Sequence, residues 1–182
     1  MSYFKKLVGK KIYLSPMRVE DAETYAKWFN DFSVTDGTGY SNRVISLDAE
    51  KEWISQNLSQ HQFAIVRLDD DKLIGNCGYN ELNHLSQCGT VGLFIGDEEN
   101  RNNGYGQDTL DLLLDYGFNY LNLKNIMLKV FSFNERAINC YKKVGFKEIG
   151  RRRQSHYLKG QFFDDVYMDI LKEEFIYINK DK

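Results

Sequence analysis

The chain has 182 residues, 42% hydrophobic and 27% charged, with a formal net charge of -2. That composition is ordinary for a globular protein, and the length suffices to bury about 70% of the unfolded surface in one domain. The charge balance excludes a global attraction to nucleic acid or acidic lipid, and no apolar run approaches the ~20 residues of a membrane span.

In chain order, Lys11-Ile12-Tyr13-Leu14 alternates as an opening strand that Pro16 ends. Ala22, Tyr25, Ala26 and Phe29 recur at helical spacing within Glu20 to Asn30. Asp31 to Asn42 is polar and carries Gly37 and Gly39, which predicts a loop long enough to face a substrate. A second helix is expected from about Leu47 to Leu58, with Leu47, Ile54 and Leu58 inward and Trp53 alongside. Gln62 to Leu68, Lys72 to Leu82 and Cys88 to Gly96 read as three strands of an antiparallel meander, joined by Asp69-Asp70-Asp71 and by Asn83 to Gln87. The acidic triplet reads as a solvated hairpin tip.

A polar turn, Arg101-Asn102-Asn103-Gly104-Tyr105-Gly106, then leads into an amphipathic helix over Asp108 to Leu121. Such a strand–turn–helix aims backbone N–H groups and a positive helix end at one spot, which suits a phosphate. Asn125 to Phe133 follows as a strand, parallel to Cys88–Gly96 through a right-handed crossover. Asn134 is a good N-cap for a helix over Glu135 to Val144, and Gly145 is the favoured residue just past its end. Phe146 to Tyr157 and Phe162 to Leu171 close the chain as a hairpin, followed by a charged tail. Within it Arg151-Arg152-Arg153 is the one local basic cluster, and alternation sends Arg151 and Arg153 to the face opposite Arg152. A solvated strand end is the plain reading of that triplet.

The three cysteines at 77, 88 and 140 and the three histidines at 61, 84 and 156 show no metal-ligand spacing, so no metal is expected. Free thiols without an apolar leader point to a reducing, cytoplasmic setting. No repeat or linker divides the chain, so one domain over residues 1–182 is expected, with its core at about 11–171.

Two parallel strands, each followed by a helix, inside an otherwise antiparallel sheet carry two motifs in order. Arg101-Asn102-Asn103-Gly104-Tyr105-Gly106 matches [Q/R]-x-x-G-x-[G/A], and Asn134, Ala137, Tyr141, Gly145 and Phe146 match N-x-x-[A/S]-x-x-x-Y-x-x-x-G-F. In both, the chain resembles the GCN5-related N-acetyltransferases, over nearly its whole length. Trp28-Phe29-Asn30-Asp31, Val34-Thr35, and Gly160 with Asp164 resemble the branch of ribosomal-protein N-terminal and spermidine acetyltransferases. The implied fold is α/β: a mixed, mostly antiparallel sheet of about seven strands with a splayed parallel central pair, and about four helices.

The resemblance implies acetyl-CoA as co-substrate. Gly104 and Gly106 lack Cβ, so backbone can approach the pyrophosphate, and the N–H groups from Asn102 to Gln107, with Tyr105 among them, would point at its oxygens. Arg101 begins this turn, where its charge serves either the loop or a phosphate. Phe94, Ile95 and Gly96 would offer backbone hydrogen bonds to the pantetheine arm. Asn134, Ala137, Tyr141 and Lys143 complete the implied cofactor contacts.

Tyr141 is the expected catalytic acid: the departing CoA sulfur gains negative charge, and a phenol beside it can donate a proton. Position alone also allows a core tyrosine, since Ala137, Ile138 and Tyr141 share a helical face. The base is less defined. Deprotonating a lysine-type ammonium of pKa ~10.4 at pH 7 costs about 4.6 kcal/mol, against about 1.4 kcal/mol for an α-amine near pKa ~8. Glu81 is the leading candidate, although a solvated strand-end glutamate is its plainer reading, with His84 and Asp36 behind it. Cys140 points about 100° away from Tyr141 on the helix and is not expected to act as a nucleophile.

The sequence departs from the branch pattern twice. Thr90 stands where a glutamate often precedes the central strand's Val-Gly-like step, and Asn102-Asn103 replace the usual Gly-Lys of the turn. Asn tolerates left-handed backbone, but a phosphate-binding lysine is lost. The expected activity is acetyl transfer to a primary amine (a peptide N-terminus, a polyamine or another small amine) by direct attack in a ternary complex. The family often forms homodimers, and no nucleic-acid or membrane partner is expected. A non-catalytic acyl-CoA-binding sensor or scaffold is the alternative.

Overall fold

The computed structural model describes residues 2–58 and 60–175. Among the described residues eight strands form one sheet in the order β1-β2-β3-β4-β5-β6-β8-β7. They are β1 (Leu7–Val8), β2 (Ile12–Pro16), β3 (Gln62–Arg67), β4 (Leu73–Asn83), β5 (Cys88–Ile95), β6 (Asn125–Phe131), β7 (Lys147–Leu158) and β8 (Gln161–Leu171). The α-helices are α1 (Ala22–Phe29), α2 (Phe32–Thr35), α3 (Leu47–Asn57), α4 (Tyr105–Asp115) and α5 (Glu135–Val144). The expected α/β fold is present, with one more strand and one more helix than the sequence suggested. By contact density the chain divides into two compact units, Met1–Gly78 with Leu93–Thr109, and Tyr79–Gly92 with Leu110–Lys182.

In the first unit β2 pairs antiparallel with β1 and with β3, and β3 with β4, the first two strands of the expected meander; β5 lies next to β4 in the sheet. Ile12, Leu14, Ile65 and Ile74 are fully buried. Met17, Ala22, Tyr25, Trp28, Val34 and Ile54 form a second apolar cluster built from α1, α2 and α3. The stretch read as a loop over 31–42 contains α2, because Asp31 caps it: its Oδ1 accepts from Ser33 N at 2.8 Å. In α3 Ile54 is buried, whereas Leu47 and Leu58, expected inward, are 39% and 45% exposed. They stand at the two ends of the helix, and one buried apolar side chain suffices to dock its middle.

The acidic hairpin tip is exposed, as expected, and its carboxylates are also paired. Arg67 bridges Asp69 at 2.6 Å and Asp70 at 3.2 Å, and Asp71, at φ 54°, accepts from Tyr13 Oη at 2.7 Å.

In the second unit β5 runs parallel to β6 through Cys88↔Asn125, Gly89↔Ile126 and Thr90↔Met127. The connecting α4 continues as a π turn over Tyr116–Tyr120, where Tyr79 Oη donates to Leu113 O at 2.8 Å. β8 pairs antiparallel with β6 and with β7. A register shift between Arg152 and His156 breaks the simple alternation expected of the arginine triplet, all three of which are exposed. Arg151 Nε bonds Glu148 at 2.6 Å.

Candidate functional site

The two sequence motifs lie one in each unit. In the first, α1 grips the end of β5. Phe94 has ring neighbours Phe29 at 5.1 Å, Trp28 at 5.9 Å and Tyr25 at 6.5 Å, and Trp28 packs directly against Gly96. Gly96 N donates to Ile74 O at 2.9 Å, and Arg101 Nη2 donates to Gly96 O at 2.8 Å. Arg101 therefore holds the strand end, the first of its two expected uses. Gly96 has protein partners on both backbone groups, which leaves the second lone pair of its carbonyl.

The turn that follows has the backbone its residues predict. Asn102 and Gly104 are left-handed, at φ 64° and 83°, and Asn103 Nδ2 donates to Glu99 O at 2.9 Å and to Arg101 O at 3.2 Å. Asp108 N donates to Gly104 O at 3.1 Å, the first helical bond of α4. The N–H groups of Tyr105, Gly106 and Gln107 precede it and have no helical acceptor behind them. A Cβ on Gly104 would fill the space above this turn, 3.2 Å from Lys11 Nζ. Small residues, free amides and a positive helix end fit a pyrophosphate.

In the second unit Asn134 Oδ1 accepts from Ala137 N at 3.2 Å, so the predicted N-cap forms. Gly145, at φ 114°, closes α5 with bonds to Tyr141 O and Lys142 O, both 3.1 Å. Tyr141 is half-buried and edge-on to Phe146 at 6.1 Å. Burial pushes its phenol above the ordinary value of 10.0, the Cys140 thiol adds to this and Arg136 opposes it. At neutral pH Tyr141 is protonated, a donor rather than a base. Its hydroxyl has no hydrogen-bond partner among the described residues. Burial also pushes the Cys140 thiol up, which disfavours the thiolate a nucleophile needs.

Lys143 is exposed on α5, and Glu81 is exposed on β4. His84 is exposed in the turn after β4, and Asp36 is half-buried at the end of α2. Sequence reasoning missed Lys11 and Asp108, which meet at the turn from opposite ends of the first unit's sequence; a helix-start aspartate was the only signal. Among the described residues no group of His, Cys, Asp or Glu is placed to hold a metal ion, and no helix is long and apolar enough to cross a membrane.

Residues 11–147 match the profile of the acetyltransferase (GNAT) domain. The chain belongs to the GNAT N-acetyltransferase family. It is 26% identical over 177 residues to an uncharacterized N-acetyltransferase p20 of Bacillus licheniformis, covering 93% of this chain and 97% of that one. It is 30% identical over 118 residues to the spermidine N(1)-acetyltransferase of Escherichia coli K12, covering 65% and 62%. Among solved structures, the spermidine N-acetyltransferase of Vibrio cholerae in complex with CoA and spermine superposes with a TM-score of 0.82 at 23% identity, over 92% of this chain and 98% of that one. A GNAT-family acetyltransferase from Bacillus anthracis superposes with a TM-score of 0.81 at 17% identity, over 92% and 99%.

Proposed function

We propose that this protein transfers the acetyl group of acetyl-CoA to a primary amine of a polyamine, as one N-acetyltransferase domain acting through a ternary complex. The observation that carries the reading is the turn opening α4, with left-handed Asn102 and Gly104 and three amides free of helical acceptors. Acetyl-CoA supplies an activated acetyl thioester. The backbone from Asn102 to Gln107 seats its diphosphate, Phe94, Ile95 and Gly96 line its pantetheine arm, and Asn134, Ala137 and Lys143 contribute from α5. Arg101 acts by holding Gly96.

Tyr141 keeps its proton at neutral pH and donates it to the departing sulfur. Its phenol, unengaged among the described residues, supports this role. Glu81 accepts the proton lost by the amine, directly or through water. The polyamine class rests on the named activity of the Escherichia coli relative, and the free thiols Cys77, Cys88 and Cys140 support a cytoplasmic setting.

Incubating the protein with acetyl-CoA and a panel of polyamines, α-amino peptides and amino sugars, with mass detection of products, tests the reading. Acetylated spermidine or spermine as the leading product is expected. Thiol release and acetylation absent across the whole panel would contradict it, and favour a binding module.

A further inference from the structure

The turn before α4 has Asn102 and Asn103 at its tip, and its one arginine donates to Gly96 O. Exposed Glu98 and Glu99 stand just before it. A diphosphate seated there on amides would meet no lysine from the turn's own residues. The first unit brings one from elsewhere in the chain. Lys11, exposed just before β2, places its Nζ 2.7 Å from Asn103 O and 3.2 Å from where a Cβ on Gly104 would stand.

This placement is built rather than incidental. The Asp108 carboxylate, 8% exposed in the first turn of α4, accepts from Lys10 N at 3.0 Å, Lys11 N at 2.8 Å and Ile12 N at 3.1 Å. Gly9 N closes the same bend on Ile12 O at 2.9 Å, and a Cβ on Gly9 would lie 2.6 Å from both carboxylate oxygens. The helix whose first amides have no helical acceptor thus also fixes the backbone of the residue whose ammonium lies beside Asn103 and Gly104. An ammonium has three donors. Asn103 O takes one, and among the described residues no carboxylate pairs with Lys11.

We propose that Lys11 is a phosphate-binding residue of the acetyl-donor site, supplying the pyrophosphate with the cation that Asn102-Asn103 omit. The inference rests on the acetyl-CoA reading above. Charge-assisted contacts to phosphate are among the stronger hydrogen bonds, and their loss is felt directly in affinity.

Calorimetric titration of CoA, 3′-dephospho-CoA and pantetheine into the wild type, Lys11→Met and Lys11→Arg tests this, with thermal unfolding of each. Lys11→Met is expected to weaken CoA and 3′-dephospho-CoA alike, by about tenfold, and to leave pantetheine unchanged. It should also flatten the salt dependence of CoA binding, and Lys11→Arg should recover most of the affinity. Wild-type and Lys11→Met proteins that bind CoA equally would overturn the Lys11 role alone. A loss confined to CoA would move the contact to the 3′-phosphate and overturn the pyrophosphate assignment. A loss extending to pantetheine, with a lowered unfolding temperature, would make Lys11 a structural strap. A wild type that binds no CoA would instead sink the underlying reading.

Discussion

The indole Nε1 of Trp28 donates to Asp97 Oδ1 at 2.9 Å, tying α1 to the residue just past the end of β5. Trp28 is 2% exposed and stands edge-on to Phe94 and to Tyr25, so it fixes both the backbone and the aromatic face of the proposed pantetheine stretch. Trp28→Phe removes a hydrogen bond to a carboxylate and part of a buried ring. A loss of about 2–4 kcal/mol in chemical denaturation is expected, together with weaker CoA binding. Unchanged stability would show that the indole is not what anchors β5.

Glu50 gives the stability curve a predictable sign. It is 4% exposed, its Oε1 has no hydrogen-bond partner among the described residues, and burial pushes its carboxyl from the ordinary 4.5 to about 7. Between those values the folded protein keeps a proton that the unfolded chain has lost. Stability therefore falls as pH rises from about 5 to 7 and stays lower above. At ~1.36 kcal/mol per pH unit, the ceiling on this linkage is about 3 kcal/mol. Glu50→Gln should match the wild type in thermal unfolding at pH 5 and exceed it at pH 8. An equal difference at both pH values would contradict the burial argument.

How much of this was legible follows from how local each feature is. The left-handed turn at Asn102 and Gly104, the Asn134 cap and the Gly145 stop each depend on a few adjacent residues, and all three formed as read. The crossover between β5 and β6 followed from a helix lying between two apolar runs. Helix α2 was missed because four polar-flanked residues carry no periodicity; the Asp31 cap and the burial of Val34 hold it. The inward expectation for Leu47 and Leu58 ignored that a short helix docks by its middle, at Ile54. Lys11 was invisible as a site residue because its partner Asn103 is 92 positions away, and long-range pairing leaves no spacing to read.

Cys140 adjoins Tyr141 but its thiol is pushed up by burial, with the Lys143 charge opposing. Transfer through an acyl-cysteine is thus disfavoured. Cys140→Ser should retain turnover within about twofold, with intersecting rather than parallel lines in double-reciprocal plots against both substrates. Parallel lines in the wild type and an inactive Cys140→Ser would reverse this.

The central claim is that α5 presents a protonated phenol to the departing sulfur, and Tyr141→Phe tests it most directly. Steady-state acetyl transfer to spermidine should be measured beside calorimetric CoA binding, on the same preparation. The account predicts that kcat falls by about 10² or more, the usual worth of a general acid, while the Kd for CoA stays within about twofold. Unchanged turnover, or a fall in turnover matched by an equal loss of CoA affinity, would contradict it.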